Sequence, residues 1–207
     1  MLLLLLAAVC GGVDVACAEE KPREVRVGVF IANLFDLDFS ERDVEATFWV
    51  WFNFTDPGFD AQKNVEVVNA RLANQLQHFR TNAADGTIWE TIKYSALLDQ
   101  TWTLASYPFD RQKIRIVIES SEADARTMRF VPDLEQTDLT NDLSLAGWTI
   151  EGISATTSEV SYHTTFGDPT LRHALRSNYP RATFEISIRR DGWRLFFSTF
   201  IGFVLSI

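Results

Sequence analysis

The stretch VEATFWVWFNF, residues 44–54, constrains the fold more than any other part of the chain. Val44, Ala46, Phe48, Val50, Phe52 and Phe54 fall on one face of an extended backbone. Glu45, Thr47, Trp49, Trp51 and Asn53 fall on the other. Successive side chains alternate between faces only in a strand, so a period of two sustained over this run excludes an amphipathic helix. Thr55, Asp56, Pro57 and Gly58 then end it with turn-forming residues. The alternation returns in KIRIVI (113–118), which sets Ile114, Ile116 and Ile118 on one face. It returns again in TFEISIR (183–189), where Phe184, Ile186 and Ile188 oppose Thr183, Glu185, Ser187 and Arg189. Shorter candidate strands lie at 25–34, 64–69, 87–97, 100–105, 127–131 and 148–157.

Strands with one apolar and one polar face belong in antiparallel sheets. Several of them, joined by Gly, Asp, Asn and Pro turns, predict an all-β fold: an antiparallel, immunoglobulin-like sandwich of about ten strands. ARLANQLQHF (70–79) is open between a short helix and a loop. With 207 residues and 46% apolar content, the chain is long enough to bury one core unaided. Trp102 and Leu104 share a strand face, as do Trp148 and Ile150, and Trp89 joins them as expected packing residues.

The net charge is −9, and basic residues never cluster beyond two in a row, which excludes nucleic acid as a partner. The histidines are three: His78, His163 and His173. No HExxH, GxSxG, GxGxxG or Walker A sequence occurs, so neither a metal, a cofactor nor an enzyme is expected.

Both ends differ from the middle. MLLLLLAAVCGGVDVACA (1–18) is an apolar run closed by Ala16-Cys17-Ala18, the small-x-small form of a signal-peptidase site. Export is expected, with cleavage removing Asp14 and both cysteines and moving the net charge from −9 to −8. At the other end, WRLFFSTFIGFVLSI (193–207) carries one charge, Arg194, and no alternation. A spanning helix needs about 20 apolar residues, so the run reads as the truncated start of a transmembrane helix. Residues 19–192 then form the folded domain between them.

The connection SYPFDRQK (106–113) places a proline between two aromatics and follows it with a carboxylate. Such large apolar groups predict a turn buried against a partner, and an X-Pro bond between aromatics is a candidate cis bond. Together with VGVFIANLFDLDF (27–39), FNFTDP (52–57), DGTIW (85–89), NDLSLAGWTIE (141–151) and ATFEISIRR (182–190), it resembles, in order, the extracellular domain of pentameric ligand-gated ion channels, the Cys-loop receptor superfamily. The family's signature loop carries cysteines eight residues before the proline and six after it. Those positions here hold Gln100 and Ile114, the pattern of the cysteine-less prokaryotic branch. Gly202 stands where family members usually have a proline in the first transmembrane helix.

The resemblance implies a homopentamer of identical subunits in the cell membrane, with the sandwich on the periplasmic or extracellular side and a small-molecule or proton agonist bound between subunits. It implies that Asp38, Tyr107, Pro108, Phe109, Asp110 and Arg190 meet at the domain base and couple binding to gating, Arg190 donating to the two carboxylates through its fork of N–H groups. Trp49 and Tyr179 match aromatic positions of the agonist site, Tyr179 on a capping loop at about 166–180. The rest of the aromatic box looks depleted: Val67 or Val68, and Ser121, stand where rings are common. A soluble periplasmic binding module for carbohydrate or another small molecule, with Trp49 and Trp51 as stacking platforms, is the alternative.

Overall fold

The computed structural model describes residues 21–121, 124–167 and 176–205. The leader at 1–18, His173 and most of the proposed capping loop lie outside the described residues. In chain order the elements are β1 (Arg23–Asp38), β2 (Asp43–Phe54), α1 (Ala61–Asn64), β3 (Val65–Val67), β4 (Ala70–Asn82) and β5 (Ile88–Asp99). After the 100–110 loop come β6 (Arg111–Ser120), β7 (Met128–Pro132), β8 (Asp138–Leu139), β9 (Trp148–Tyr162), β10 (Ser177–Arg190) and α2 (Gly192–Leu205).

Two sheets face each other. One runs β4-β5-β2-β1-β7, with β8 also on β1, and the other runs β3-β6-β10-β9. The alternation that identified the strands also sets their inward faces. Val44, Ala46, Phe48, Val50, Phe52 and Phe54 are all buried, against Ile114, Ile116, Ile118, Phe184, Ile186 and Ile188 from the other sheet. Most pairings are antiparallel, but β1 runs parallel to β7 and to β8. The short β7 and β8 pair with the flank of β1 left free by β2, and a parallel arrangement lets the chain cross between the sheets.

Several local expectations fail. Residues 70–79 are neither helix nor loop but part of β4, a long edge strand with both faces mostly exposed. Among the described residues its one sheet neighbour is β5, so its sequence never needed a buried period. Residues 100–105 form no strand; Trp102 is partly buried while Leu104 is half exposed, so the two do not share a face. Trp89 is also exposed rather than packed. Trp148 and Ile150 do pack against the core.

Among the described residues one buried side-chain nitrogen, Arg23 Nε, has no hydrogen-bond partner, and the buried carboxylate of the first sheet is fully engaged. Glu90, fully buried on β5, accepts from the Ala61 and Gln62 amides at the start of α1, from Arg80 at 3.0 Å and pairs with His78 at 2.8 Å. That carboxylate ties the β2–β3 connection to the β4–β5 hairpin. On the outer face of the second sheet, Arg111 stands opposite Arg189, and Glu151 bridges both at 3.1 Å.

Candidate functional site

The register of β6 and β10 builds the base of the domain. Arg111 pairs with Arg189, so the next residues outward, Asp110 and Arg190, are brought side by side. The Arg190 amide donates to the Asp110 carbonyl at 3.0 Å. Its guanidinium grips the Asp110 carboxylate through two bonds, Nε to Oδ1 at 2.6 Å and Nη2 to Oδ2 at 3.1 Å. The side chains are 2% exposed for Asp110 and 14% for Arg190, so water does little to screen the pair. Gln112 Nε2 donates to the same carboxylate at 2.6 Å. Burial raises the Asp110 pKa, but the hydrogen bonds from Arg190 and Gln112 outweigh it and hold the carboxyl below the usual aspartate range.

Aromatic rings enclose the guanidinium. Its central carbon lies 4.1 Å from the Trp148 ring centroid, 5.0 Å from Phe39 and 5.2 Å from Tyr107. Trp148 is there because it pairs with Arg190 across β9 and β10. Phe39 stacks on Trp148 at 5.7 Å and tilts against Trp102 at 4.8 Å. Partly desolvated cation–π contacts of this kind add to an ion pair without adding charge. Phe39 was not singled out from the sequence; its position in the β1–β2 turn, LFDLDFSERD, was the available signal.

The turn that carries Asp110 also touches the terminal helix. The Tyr107–Pro108 bond is cis. Phe109 meets Trp193 edge-on at 5.1 Å. Gly192 permits the approach, since a Cβ there would fall 2.4 Å from the Pro108 carbonyl oxygen and 2.6 Å from the Phe109 ring.

Asp38 does not join this cluster. Its carboxylate caps its own turn, accepting from the Ser40 amide at 2.7 Å, the Ser40 hydroxyl at 2.6 Å and the Glu41 amide at 2.8 Å. Those bonds, the Ser40 hydroxyl first, hold its pKa down. Only its backbone reaches inward, where its carbonyl accepts from Trp102 Nε1 at 3.0 Å. An aspartate two residues before Ser satisfies the nearest amides, a local competition that a distant guanidinium loses. Arg190 therefore holds one carboxylate, not two.

At the opposite end of β9 and β10 lies a cleft of about 300 Å³ lined by Glu66, Glu119, Ser120, Ser121, Tyr162, Phe166 and Tyr179. Three rings meet edge to face: Tyr162–Phe166 at 5.4 Å, Tyr162–Tyr179 at 6.0 Å and Phe166–Tyr179 at 6.2 Å. Behind them the buried Glu119 accepts from the Tyr162 hydroxyl at 2.9 Å and pairs with Arg181 at 2.6 Å. Burial, then the neighbouring Glu119, push the Tyr162 phenol pKa up. The cleft thus carries two carboxylates and one guanidinium behind aromatic faces, a setting for a cation. Tyr179 was identified from the sequence, but Tyr162, Phe166 and Glu119 were not. They come from separate elements, and Phe166 adopts a left-handed backbone (φ 54°) that no strand pattern reveals.

Trp49 and Tyr179 lie on different sheets. Trp49 stacks on Phe79 at 6.1 Å, with Lys93 Nζ 5.4 Å from the ring centroid. Trp51 is committed differently: its Nε1 donates to Asp133 at 3.1 Å and its ring lies on Gly28, where a Cβ would fall 2.3 Å away. It offers no free stacking platform. Among the described residues no group of three or more His, Cys, Asp or Glu side chains is placed to hold a metal ion.

No protein-family profile matches the chain. It is 23% identical over 164 residues to the proton-gated ion channel of Gloeobacter violaceus, a match spanning 69% of this chain and 45% of that protein. The match therefore spans less than half the length of that relative. At the level of the superfamily, this likeness supports the ligand-gated channel resemblance carried by the sequence motifs.

Proposed function

We propose that this chain is the ligand-binding domain of a ligand-gated ion-channel subunit, exported by its leader and assembled as a homopentamer of identical subunits. In this reading agonist binds between subunits and the domain base moves a membrane pore. One observation carries it: a single turn, 107–110, contacts the end of the last strand through Asp110 and the start of α2 through Phe109. A shift of β10 relative to that turn is thereby felt at the helix. Trp193, Phe197 and Ile201 on α2 are each about half exposed or more, an apolar surface that suits lipid or neighbouring helices. Among the described residues no helix is long and apolar enough to cross a membrane.

The agonist reading rests on Tyr179 with Tyr162 and Phe166, and on Trp49 supplied from the adjacent subunit. The rings and the excess of carboxylate favour a small organic cation, and the relative's proton gating makes acid the second agonist to test. The test is electrical. The gene product containing this chain is expressed in voltage-clamped cells and exposed to acid steps and to a panel of small primary amines. A current evoked by either, and weakened by Tyr179→Ala, supports the reading. Silence to both, with the protein confirmed at the cell surface, would overturn it.

A further inference from the structure

Strand β6 has an incomplete neighbour on one side. β10 covers one edge along 111–119, but on the other edge β3 pairs only with residues 118–120. An open edge beside a buried ion pair would admit water. Side-chain amides occupy it instead. Gln100 Oε1 accepts from the Arg115 amide and Gln100 Nε2 donates to the Arg115 carbonyl, both at 2.9 Å. Asn69 Oδ1 accepts from the Val117 amide at 2.9 Å, while its Nδ2 donates to the Arg115 carbonyl at 2.9 Å and the Asp99 carbonyl at 3.1 Å. Gln112 repeats the arrangement outward: its Oε1 accepts from the Thr103 amide at 3.0 Å and its Nε2 donates to the Thr103 carbonyl at 2.7 Å. A primary amide has the donor and acceptor of a peptide group, so each of these side chains acts as a missing strand residue.

Gln112 has one further bond. The second hydrogen of its Nε2 goes to Asp110 Oδ2 at 2.6 Å, on the oxygen that also takes Arg190 Nη2. Both Gln100 and Gln112 are buried, so neither amide exchanges these partners for water. Gln100 stands at a position where the resembled family places a loop-closing cysteine.

We infer that the amides of Gln100 and Gln112 close the 100–112 loop non-covalently, and that Gln112 is a positioning residue that aims the Asp110 carboxylate at Arg190. The closure stands on hydrogen bonds alone; its consequence for gating rests on the channel reading above. Glutamine at 112 has a chemical reason: methionine would fill the space without donating, and glutamate would set a second carboxylate against Asp110.

Nuclear magnetic resonance on the 207-residue chain in detergent tests this. Scalar couplings across hydrogen bonds are expected from the Arg115 nitrogen to the Gln100 side-chain carbonyl carbon and from the Thr103 nitrogen to that of Gln112. Gln112→Met is expected to speed Thr103 amide exchange about tenfold and to raise the Asp110 titration midpoint. Gln100→Met is expected to free the Arg115 amide and leave the Asp110 midpoint in place, a split that general loosening of the loop does not produce. Absence of both couplings in the unmutated chain, or equal movement of the Asp110 midpoint by both substitutions, would overturn the inference. Should Gln112→Met fail to fold, the couplings in the unmutated chain decide. Normal currents from a Gln112→Met channel whose Asp110 midpoint has moved would instead refute the coupling role of Asp110 and leave the closure standing.

Discussion

The two ends of the sandwich solve opposite problems with similar residues. At the base, Arg190 is enclosed by Trp148, Phe39 and Tyr107 and neutralised by Asp110, so the protein supplies its own cation to its own aromatic cage. At the far end of the same two strands, Tyr162, Phe166 and Tyr179 frame a cleft whose rings, among the described residues, enclose no cation; Arg181 sits behind it, bound to Glu119. The filled cage pins its guanidinium with an ion pair and three rings, and the open one leaves a cleft of about 300 Å³. Because β9 and β10 run the full distance between them, with strand pairing from Ser177–Tyr162 to Arg190–Trp148, a change at one end has a direct mechanical route to the other.

That contrast can be broken first at the joint. Arg190→Gln removes one partner of a buried pair and leaves Asp110 uncompensated, for which a loss of about 3–5 kcal/mol in urea unfolding is expected. A loss below about 1 kcal/mol would put the pair among ordinary surface bridges. On the proposed channel reading, a chain carrying Arg190→Gln that still folds is expected to bind agonist and fail to open the pore. The next effect lies at Gly192. Gly192→Ala drives a methyl into the Pro108 carbonyl and the Phe109 ring, with an expected cost of about 1–3 kcal/mol and a change in Trp193 fluorescence as the edge-on contact opens. An unchanged spectrum would mean that the turn does not bear on the helix.

The open end should respond differently. Glu119→Gln leaves the rings in place but discharges the carboxylate behind them, so a weakening of organic-cation binding by about 10- to 100-fold is expected, from a charged hydrogen-bond contribution of about 1.5–3 kcal/mol. Equal binding by Glu119→Gln and the unmutated chain would show that the rings alone attract the ligand, or that the ligand is not a cation.

The same contrast explains what the sequence made legible. The sandwich could be read because its inward residues alternate, and the face called from VEATFWVWFNF is the buried face. The Asp110–Arg190 contact could be anticipated because both residues sit at strand ends. Register then places them together without any long-range detail. The cleft could not be read in the same way. Tyr179 alone was matched, through the resemblance; Tyr162 looks like a polar-face tyrosine, Glu119 looks like one more surface acid, and Phe166 lies in a turn. Their meeting depends on how β3, β6, β9 and β10 align. β4 was missed for the opposite reason: an edge strand exposed on both faces needs no period at all.

The smallest effect is the one that separates the two carboxylates expected at the base. Both Asp38 and Asp110 have pKa values held below the ordinary aspartate range, but by different groups. A carboxyl with a depressed native pKa stabilises the fold above its unfolded value of about 3.9. That contribution is lost as pH falls from there through the native pKa. Asp110→Asn removes the Arg190 share of this acid-sensitive stability, so the acid unfolding limb should flatten. Asp38→Asn keeps an oxygen for the Ser40 and Glu41 amides and has no Arg190 bond to lose, so the Asp110 titration midpoint should stay where it is. A shift of that midpoint as large as the one produced by Gln112→Met would mean that Asp38 does bear on the Arg190 cage in solution. The base would then be a shared two-carboxylate switch instead of a single locked pair.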